Sequence, residues 1–231
     1  MKKYIDIHTH RKENRENVFS LHNISPEEFI RLPNNEKNYF SAGIHPWCID
    51  STVEEKVNVL KQITSDPSIL AIGETGLDKL CHVDFNLQKE IFNCQISIAK
   101  KVKKPLIIHC VKAYNEVQQL LKENQTNVPV VFHGFRGKPQ LAKELIKAGG
   151  YLSFGNLFNK ESVEATPLDR IFLETDDKDV EIEEIYKLIA EIKGVSAEKL
   201  VEAAGENFER CSFVSDLVSF SFGGSISYAI I

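Results

Sequence analysis

Short runs of apolar, β-branched residues alternate along the chain with stretches whose apolar positions recur every three or four residues. The runs predict strands at Lys3–Ile7, Asn17–Leu21, Tyr39–Ile44, Ile69–Ile72, Pro105–Ile108, Pro129–Phe132, Tyr151–Phe154 and Arg170–Leu173. Pro105-Leu106-Ile107-Ile108 and Pro129-Val130-Val131-Phe132 are apolar nearly throughout, as strands covered on both faces of a parallel sheet are. Between the runs, Val53–Ile63, Phe85–Lys101, Lys112–Lys122 and Pro139–Ala148 have helical spacing, and a last helix is expected over about Ala197–Phe208. Gly149-Gly150 is a helix stop feeding the next strand.

A βαβα alternation implies an α/β fold with right-handed crossovers. Eight strands favour a closed TIM-type (β/α)8 barrel over an open sheet. Between Arg11 and Asn38 there is room for only one short helical turn, near Pro26–Ile30, so the barrel is expected to be distorted. At about 150 residues per domain, a single domain is the default. It is expected over residues 1–211. Residues 212–231, rich in Ser, Gly and Phe, form a tail that reads equally as an extra strand, a docking tail or a non-native extension.

The balance of 28 Lys+Arg against 33 Asp+Glu, net charge -5, narrows the choice of ligand. A protein that holds nucleic acid mainly by neutralising phosphates carries a basic excess. Any grip on a polyanion must here be local. The opening Met1-Lys2-Lys3-Tyr4-Ile5-Asp6-Ile7-His8 lacks the apolar stretch of a signal peptide, and no run is long enough to span a bilayer. The five cysteines are odd in number and widely spaced, which reads as reduced thiols and a cytoplasmic setting.

Most predicted strands end in a polar residue that could hold a metal. The first ends Ile7-His8-Thr9-His10, and residues two apart on a strand share a face, so His8 and His10 can converge on one ion; alone, the pair is equally two strand-end histidines. Gly43-Ile44-His45-Pro46, Ile72-Gly73-Glu74-Thr75-Gly76-Leu77-Asp78, Ile107-Ile108-His109-Cys110, Val131-Phe132-His133-Gly134 and Phe172-Leu173-Glu174-Thr175-Asp176 end five of the others. In an α/β barrel these ends form the mouth where active sites lie. Imidazoles and carboxylates together suit divalent cations. Six ligands are too many for one tetrahedral ion and suit two sharing a bridge, for which Glu74 is placed. Two divalent ions (Mg2+, Mn2+ or Zn2+) can activate a water and stabilise transition-state charge.

In this order the motifs Asp6-Ile7-His8-Thr9-His10, Gly43-Ile44-His45-Pro46, Ala71-Ile72-Gly73-Glu74-Thr75-Gly76-Leu77-Asp78, Ile108-His109, His133-Gly134-Phe135-Arg136-Gly137 and Leu173-Glu174-Thr175-Asp176 resemble the TatD family of metal-dependent deoxyribonucleases. The resemblance runs from about residue 4 to Asn207-Phe208. It implies a distorted TIM-type barrel, one or two divalent metals and hydrolysis of phosphodiester bonds in DNA. By the same resemblance His8, His10, Glu74 and Asp176 would hold one metal, and Glu74, His109 and His133 the other. Asp176 would also orient or deprotonate the attacking water, so Asp176 and Glu74 are the expected catalytic residues. The chain departs from the family pattern at Val111, where an Arg is common, at Asp177-Lys178, where Ala-Pro is common, and in a short segment after the eighth strand.

His45 reads as a group behind the ligands, or as a phosphate contact, or as a ring satisfying a backbone carbonyl beside Pro46. Trp47 could stack a base or pack at the rim. Glu174 is expected to orient a ligand, Lys112 and Arg136 to meet substrate, and His22 and His82 to be solvated. Cys110 is read as a packed thiol. Lys100, Lys101, Lys103 and Lys104 precede the fifth strand, at the far end of the barrel, and read as a solvated face. The expected function is a cytoplasmic, metal-dependent hydrolase of phosphodiesters with DNA as substrate, no membrane partner and a monomer by default. The alternatives are a phosphomonoester, amide or lactone substrate at the same metals, or a barrel that binds a partner without catalysis.

Overall fold

The computed structural model describes residues 3–11, 13, 15–33 and 38–213. Eight strands, β1 (Tyr4–Thr9), β2 (Val18–Ile24), β3 (Tyr39–Ala42), β4 (Ile69–Asp78), β5 (Leu106–Val111), β6 (Val130–Phe132), β7 (Tyr151–Phe154) and β8 (Ile171–Leu173), form one sheet in chain order. Every neighbouring pair is parallel. The result is a nearly closed TIM-type barrel. Its helices are α1 (Pro26–Phe29), α2 (Val53–Ile63), α3 (Phe85–Val102), α4 (Tyr114–Glu123), α5 (Pro139–Lys147), α6 (Lys160–Ala165), α7 (Ile182–Lys193) and α8 (Ala197–Arg210).

The short α1 is the turn expected near Pro26. Ser25 accepts from the Glu28 N–H and Glu28 accepts from the Ser25 N–H, a reciprocal cap that lets so short a helix form. One apolar cluster lies between sheet and helices, centred on residues such as Ile72, Phe92, Leu106 and Tyr186. A second fills the barrel and the end opposite the mouth, through Ile5, Ile7, Leu70, Ile107 and Phe172. Phe213 is buried there, stacked on Phe208 with centroids 4.7 Å apart. The tail's remainder, residues 214–231, lies outside the described residues.

Between β1 and β8 the ladder shrinks to a single bridge, Thr9 to Asp176. Tyr186 of α7 fills the gap lower down. Its hydroxyl accepts from the Ile5 N–H at 3.3 Å and donates to the Ile5 C=O at 3.0 Å, which satisfies backbone groups that β8 leaves unpaired.

Several expectations are corrected. β4 runs to Asp78, six residues beyond the apolar run, because Thr75, Gly76, Leu77 and Asp78 pair with β5. Only glycine fits at position 76, where φ is 145° and a Cβ would lie 1.9 Å from the His109 carbonyl oxygen. α4 begins at Tyr114, not Lys112, which has φ 53°. His22 lies buried on β2, its Nδ1 2.6 Å from the Arg11 C=O. In the basic cluster, Lys104 donates to the Thr64 C=O at 2.6 Å and Lys100 to the Asn124 C=O, so these two tie neighbouring segments to α3 and to the turn that follows it. The helix α7 lies outside the predicted helices, although Ile182, Ile185, Tyr186 and Ile189 are buried at helical spacing.

Lys193 closes the end of α6, with its Nζ 3.2, 2.8 and 2.7 Å from the carbonyl oxygens of Val163, Glu164 and Thr166. A cation there satisfies the last carbonyls and meets the negative end of the helix. Lys193→Met keeps the stem and should cost about 1 kcal/mol, lowering Tm by about 2–4 °C in a thermal melt. An unchanged Tm would show that water serves those carbonyls equally well.

Candidate metal centre

The strand ends converge on one polar cluster. β1 delivers His8 and, just beyond it, His10; His45 follows β3; Glu74 lies within β4; His109 lies on β5; His133 follows β6; Glu174 and Asp176 follow β8. The β1–β2 register shifts between Asp6 and Thr9, and the β4–β5 register between Ile72 and Thr75. Such irregularities re-aim side chains, and here they flank His8 and Glu74. The cluster floors a cavity of about 1090 Å³.

Glu74 is the hub, and its two oxygens face different partners. Oε2 lies 3.4 Å from His8 Nε2 and 3.8 Å from His10 Nε2. Oε1 lies 2.7 Å from His133 Nε2, 2.8 Å from His109 Nδ1 and 3.2 Å from His45 Nε2. Asp176 Oδ1 lies 3.7 Å from both His8 Nε2 and His10 Nε2. The structure therefore brings all six expected ligands together, in two groups that meet at one carboxylate. His45 joins the second group.

Outer contacts distinguish the rings. His109 turns Nε2 to Asp78 Oδ2 at 3.4 Å, and His133 turns Nδ1 to Glu174 Oε1 at 3.3 Å. In a neutral imidazole, a proton held toward the outer carboxylate leaves the other nitrogen's lone pair directed inward, the arrangement in which carboxylates orient metal-binding imidazoles. His45 is the reverse. Its Nδ1 accepts the Trp47 N–H at 3.1 Å, so the neutral ring carries its proton on Nε2, facing inward as a donor. Burial pushes His45 below the usual imidazole range, which keeps it neutral despite Glu74.

The donor set fits divalent cations. His8 is fully buried and neither of its ring nitrogens has a hydrogen-bond partner in the protein, an arrangement that a metal–nitrogen bond satisfies. Burial raises the Glu74 carboxyl, but His133, His10 and His109 outweigh it and hold the group well below the usual carboxylate range. Burial likewise opposes charge on His133, yet Glu74 and Glu174 raise it well above the usual imidazole range. The hub thus carries stable negative charge.

Several supporting residues are not evident as site residues from the sequence. Asn23 accepts the Glu74 N–H at 2.8 Å. Gln95 of α3 bonds both the N–H and the C=O of Ile44, at 2.8 and 3.0 Å, just before His45. Gln88 does the same for Asp78, at 2.9 and 3.1 Å. These glutamines are seven apart and buried, so two polar residues on the apolar face of α3 were the available signal. Glu174, also buried, accepts the Gly134 N–H at 2.6 Å, so it buttresses the loop carrying His133. Lys112 and Arg136 are exposed residues on the cavity lining. Cys110 is a half-buried thiol pushed up to about 12 by burial, and His82 is exposed.

Among the described residues no helix is long and apolar enough to cross a membrane. The model of the TatD-related DNase family matches residues 9–212. An uncharacterized metal-dependent hydrolase of Bacillus subtilis, YabD, is 32% identical over 74% of this chain and 76% of its own. Escherichia coli YcfH, described in the same words, is 27% identical over 74% of this chain and 72% of its own. In three dimensions the crystal structure of the E. coli TatD homologue YjjV superimposes with a TM-score of 0.79 at 20% identity, covering 91% of this chain and 98% of that one. From residue 9 to residue 212, and with the strand order of the barrel, this chain belongs to the TatD-related DNase family of metal-dependent hydrolases.

Proposed function

We propose that this protein hydrolyses phosphodiester bonds in DNA with divalent metal ions held by its barrel mouth. The observation that carries the reading is the division of Glu74, with one oxygen toward His8 and His10 and the other toward His109 and His133. His8, His10, Glu74 and Asp176 would hold one ion, and Glu74, His109 and His133 the other. Bound there, the ions supply an activated water and positive charge opposite the phosphate. Asp176 Oδ1, at 25% side-chain exposure, is the carboxylate open enough to take a proton from the attacking water. His45 Nε2–H faces the same space and donates to a phosphate oxygen. Asp78 and Glu174 hold the inner imidazoles in the orientation that keeps their lone pairs inward.

A second reading keeps the metals and changes the bond to a phosphomonoester, amide or lactone in a small molecule. It is favoured by position 111, where valine pairs with Asp78 in the ladder and offers phosphate no cation, the neighbouring Lys112 supplying only a point charge.

Purified protein should cut labelled DNA with Mg2+, Mn2+ or Zn2+ and stop cutting in EDTA, with Asp176→Asn as a second control. Metal-dependent turnover of small esters, amides or lactones without cleavage of any DNA would replace this reading with the second.

A further inference from the structure

Trp47 is the one tryptophan of the chain, and it is 61% exposed at the cavity rim. An exposed apolar side chain is ordinary; an exposed ring held at fixed points is less so. Its indole Nε1–H donates to Asp78 Oδ2 at 2.7 Å, and its backbone N–H donates to His45 Nδ1 at 3.1 Å. Asp78 is itself buried and fixed, accepting the Leu80 N–H at 2.7 Å while Gln88 bonds its main chain. The indole stands edge-on to His45, with centroids 4.9 Å apart, and to His109, with centroids 6.0 Å apart. An open π surface is thereby oriented beside two imidazoles of the centre. Among the described residues the other exposed large apolar side chains, Ile30, Leu80, Leu157 and Leu188, are aliphatic.

We infer that Trp47 is the platform on which a nucleobase adjoining the scissile phosphodiester stacks. The inference rests on the nuclease reading and narrows it. Inside a duplex both faces of an internal base are covered by its neighbours, so the base that lies on the indole is a terminal or an unstacked one. Base–aromatic stacking contributes about 1–3 kcal/mol and is indifferent to base identity. That suits a chain of net charge -5, whose hold on DNA cannot come mainly from surface cations. Asp78 orients both the platform and His109, so the stacked base and the cut bond keep a fixed relation.

Because Trp47 stands alone, indole fluorescence reports on this position directly. Mg2+-supplied wild-type protein is titrated with a single-stranded oligothymidylate carrying hydrolysis-resistant phosphorothioate linkages, and with an abasic oligomer of the same length. Saturable quenching is expected with the first, at a midpoint about tenfold below that of the second. On cleavable oligomers, Trp47→Ala should raise KM for the base-bearing strand about tenfold more than for the abasic one, and Trp47→Phe should restore most of that difference. Binding of the oligothymidylate seen by polarisation with indole emission unchanged would overturn the platform alone, as would equal kcat/KM on both oligomers. Absence of any DNA binding or cleavage, with small-molecule turnover intact, would overturn the nuclease reading and the platform with it.

Discussion

Glu74→Gln should lose metal and turnover together. Each carboxylate oxygen faces a different group of imidazoles, at 3.4 and 3.8 Å on one side and 2.7, 2.8 and 3.2 Å on the other. Glutamine offers one neutral acceptor and one NH2, so whichever side meets the amide nitrogen meets a donor where it needs a lone pair. The substitution also removes the charge that most raises His133, a buried ring. Metal affinity should fall by more than about a hundredfold, since even partners behind the ligands cost 10–100-fold. Losing several kcal/mol of transition-state stabilisation should lower kcat/KM by about three orders of magnitude. Asp176→Asn probes mainly the side of His8 and His10, whose Nε2 atoms both lie 3.7 Å from Asp176 Oδ1, although Asp176 also stands near His133. It should cut turnover by orders of magnitude while keeping the metal bound by Glu74, His109 and His133. Metal content by plasma mass spectrometry, circular dichroism and kcat/KM separate these outcomes. Wild-type metal content in Glu74→Gln would refute the bridging role.

What could be read from the sequence follows the range of the interactions. A strand buried on both faces declares itself by local composition, and seven of the eight strands lie within a few residues of their apolar runs. β4 is the exception, since Gly73-Glu74-Thr75-Gly76 looks like a loop until its pairing to β5 is seen. His22 reads as solvated for the same reason, because the apolar run of β2 stops at Leu21 while its ladder with β3 continues to Ile24. The six expected ligands are legible because each follows the apolar run of its strand on the same side of the barrel, a property of topology. Asn23, Gln88 and Gln95 act on backbone groups of other elements. Asn23 lies 51 residues from Glu74, and Gln95 lies 51 from Ile44. No local pattern encodes such a contact. Asp78 was visible in a motif, but its work on Trp47 and His109, both 31 residues away, was not. The donor role of His45 likewise depends on the loop that folds Trp47 back onto its Nδ1.

The seam between β1 and β8 should make stability depend on pH through Asp6. This residue is buried beside Thr175, whose N–H donates to Oδ1 at 3.0 Å and whose hydroxyl lies 2.6 Å from Oδ2; Thr9 Oγ1 lies 2.8 Å beyond. Burial pushes the Asp6 carboxyl up to about 7, against the pull of the Thr175 bonds and with help from Glu174. Ionised, Asp6 accepts from the Thr175 hydroxyl; protonated, it donates to that oxygen, which then donates to Thr9. The chain of bonds survives with its direction reversed, so protonation costs no contact and removes a buried charge. Because the folded value lies above the unfolded one, the contribution is fully present below the ordinary 3.8 and is lost as pH rises through about 7. Between about pH 5 and about pH 8 the loss should be about 2–3 kcal/mol. Asp6→Asn has nothing to titrate there, so its unfolding free energy should follow wild type less that slope. Urea denaturation of both proteins at matched pH isolates the difference, because the histidines of the centre titrate in each. Parallel pH profiles would mean that Asp6 is ionised throughout, and the seam would then hold a buried carboxylate supported by Thr175 and the His8 backbone.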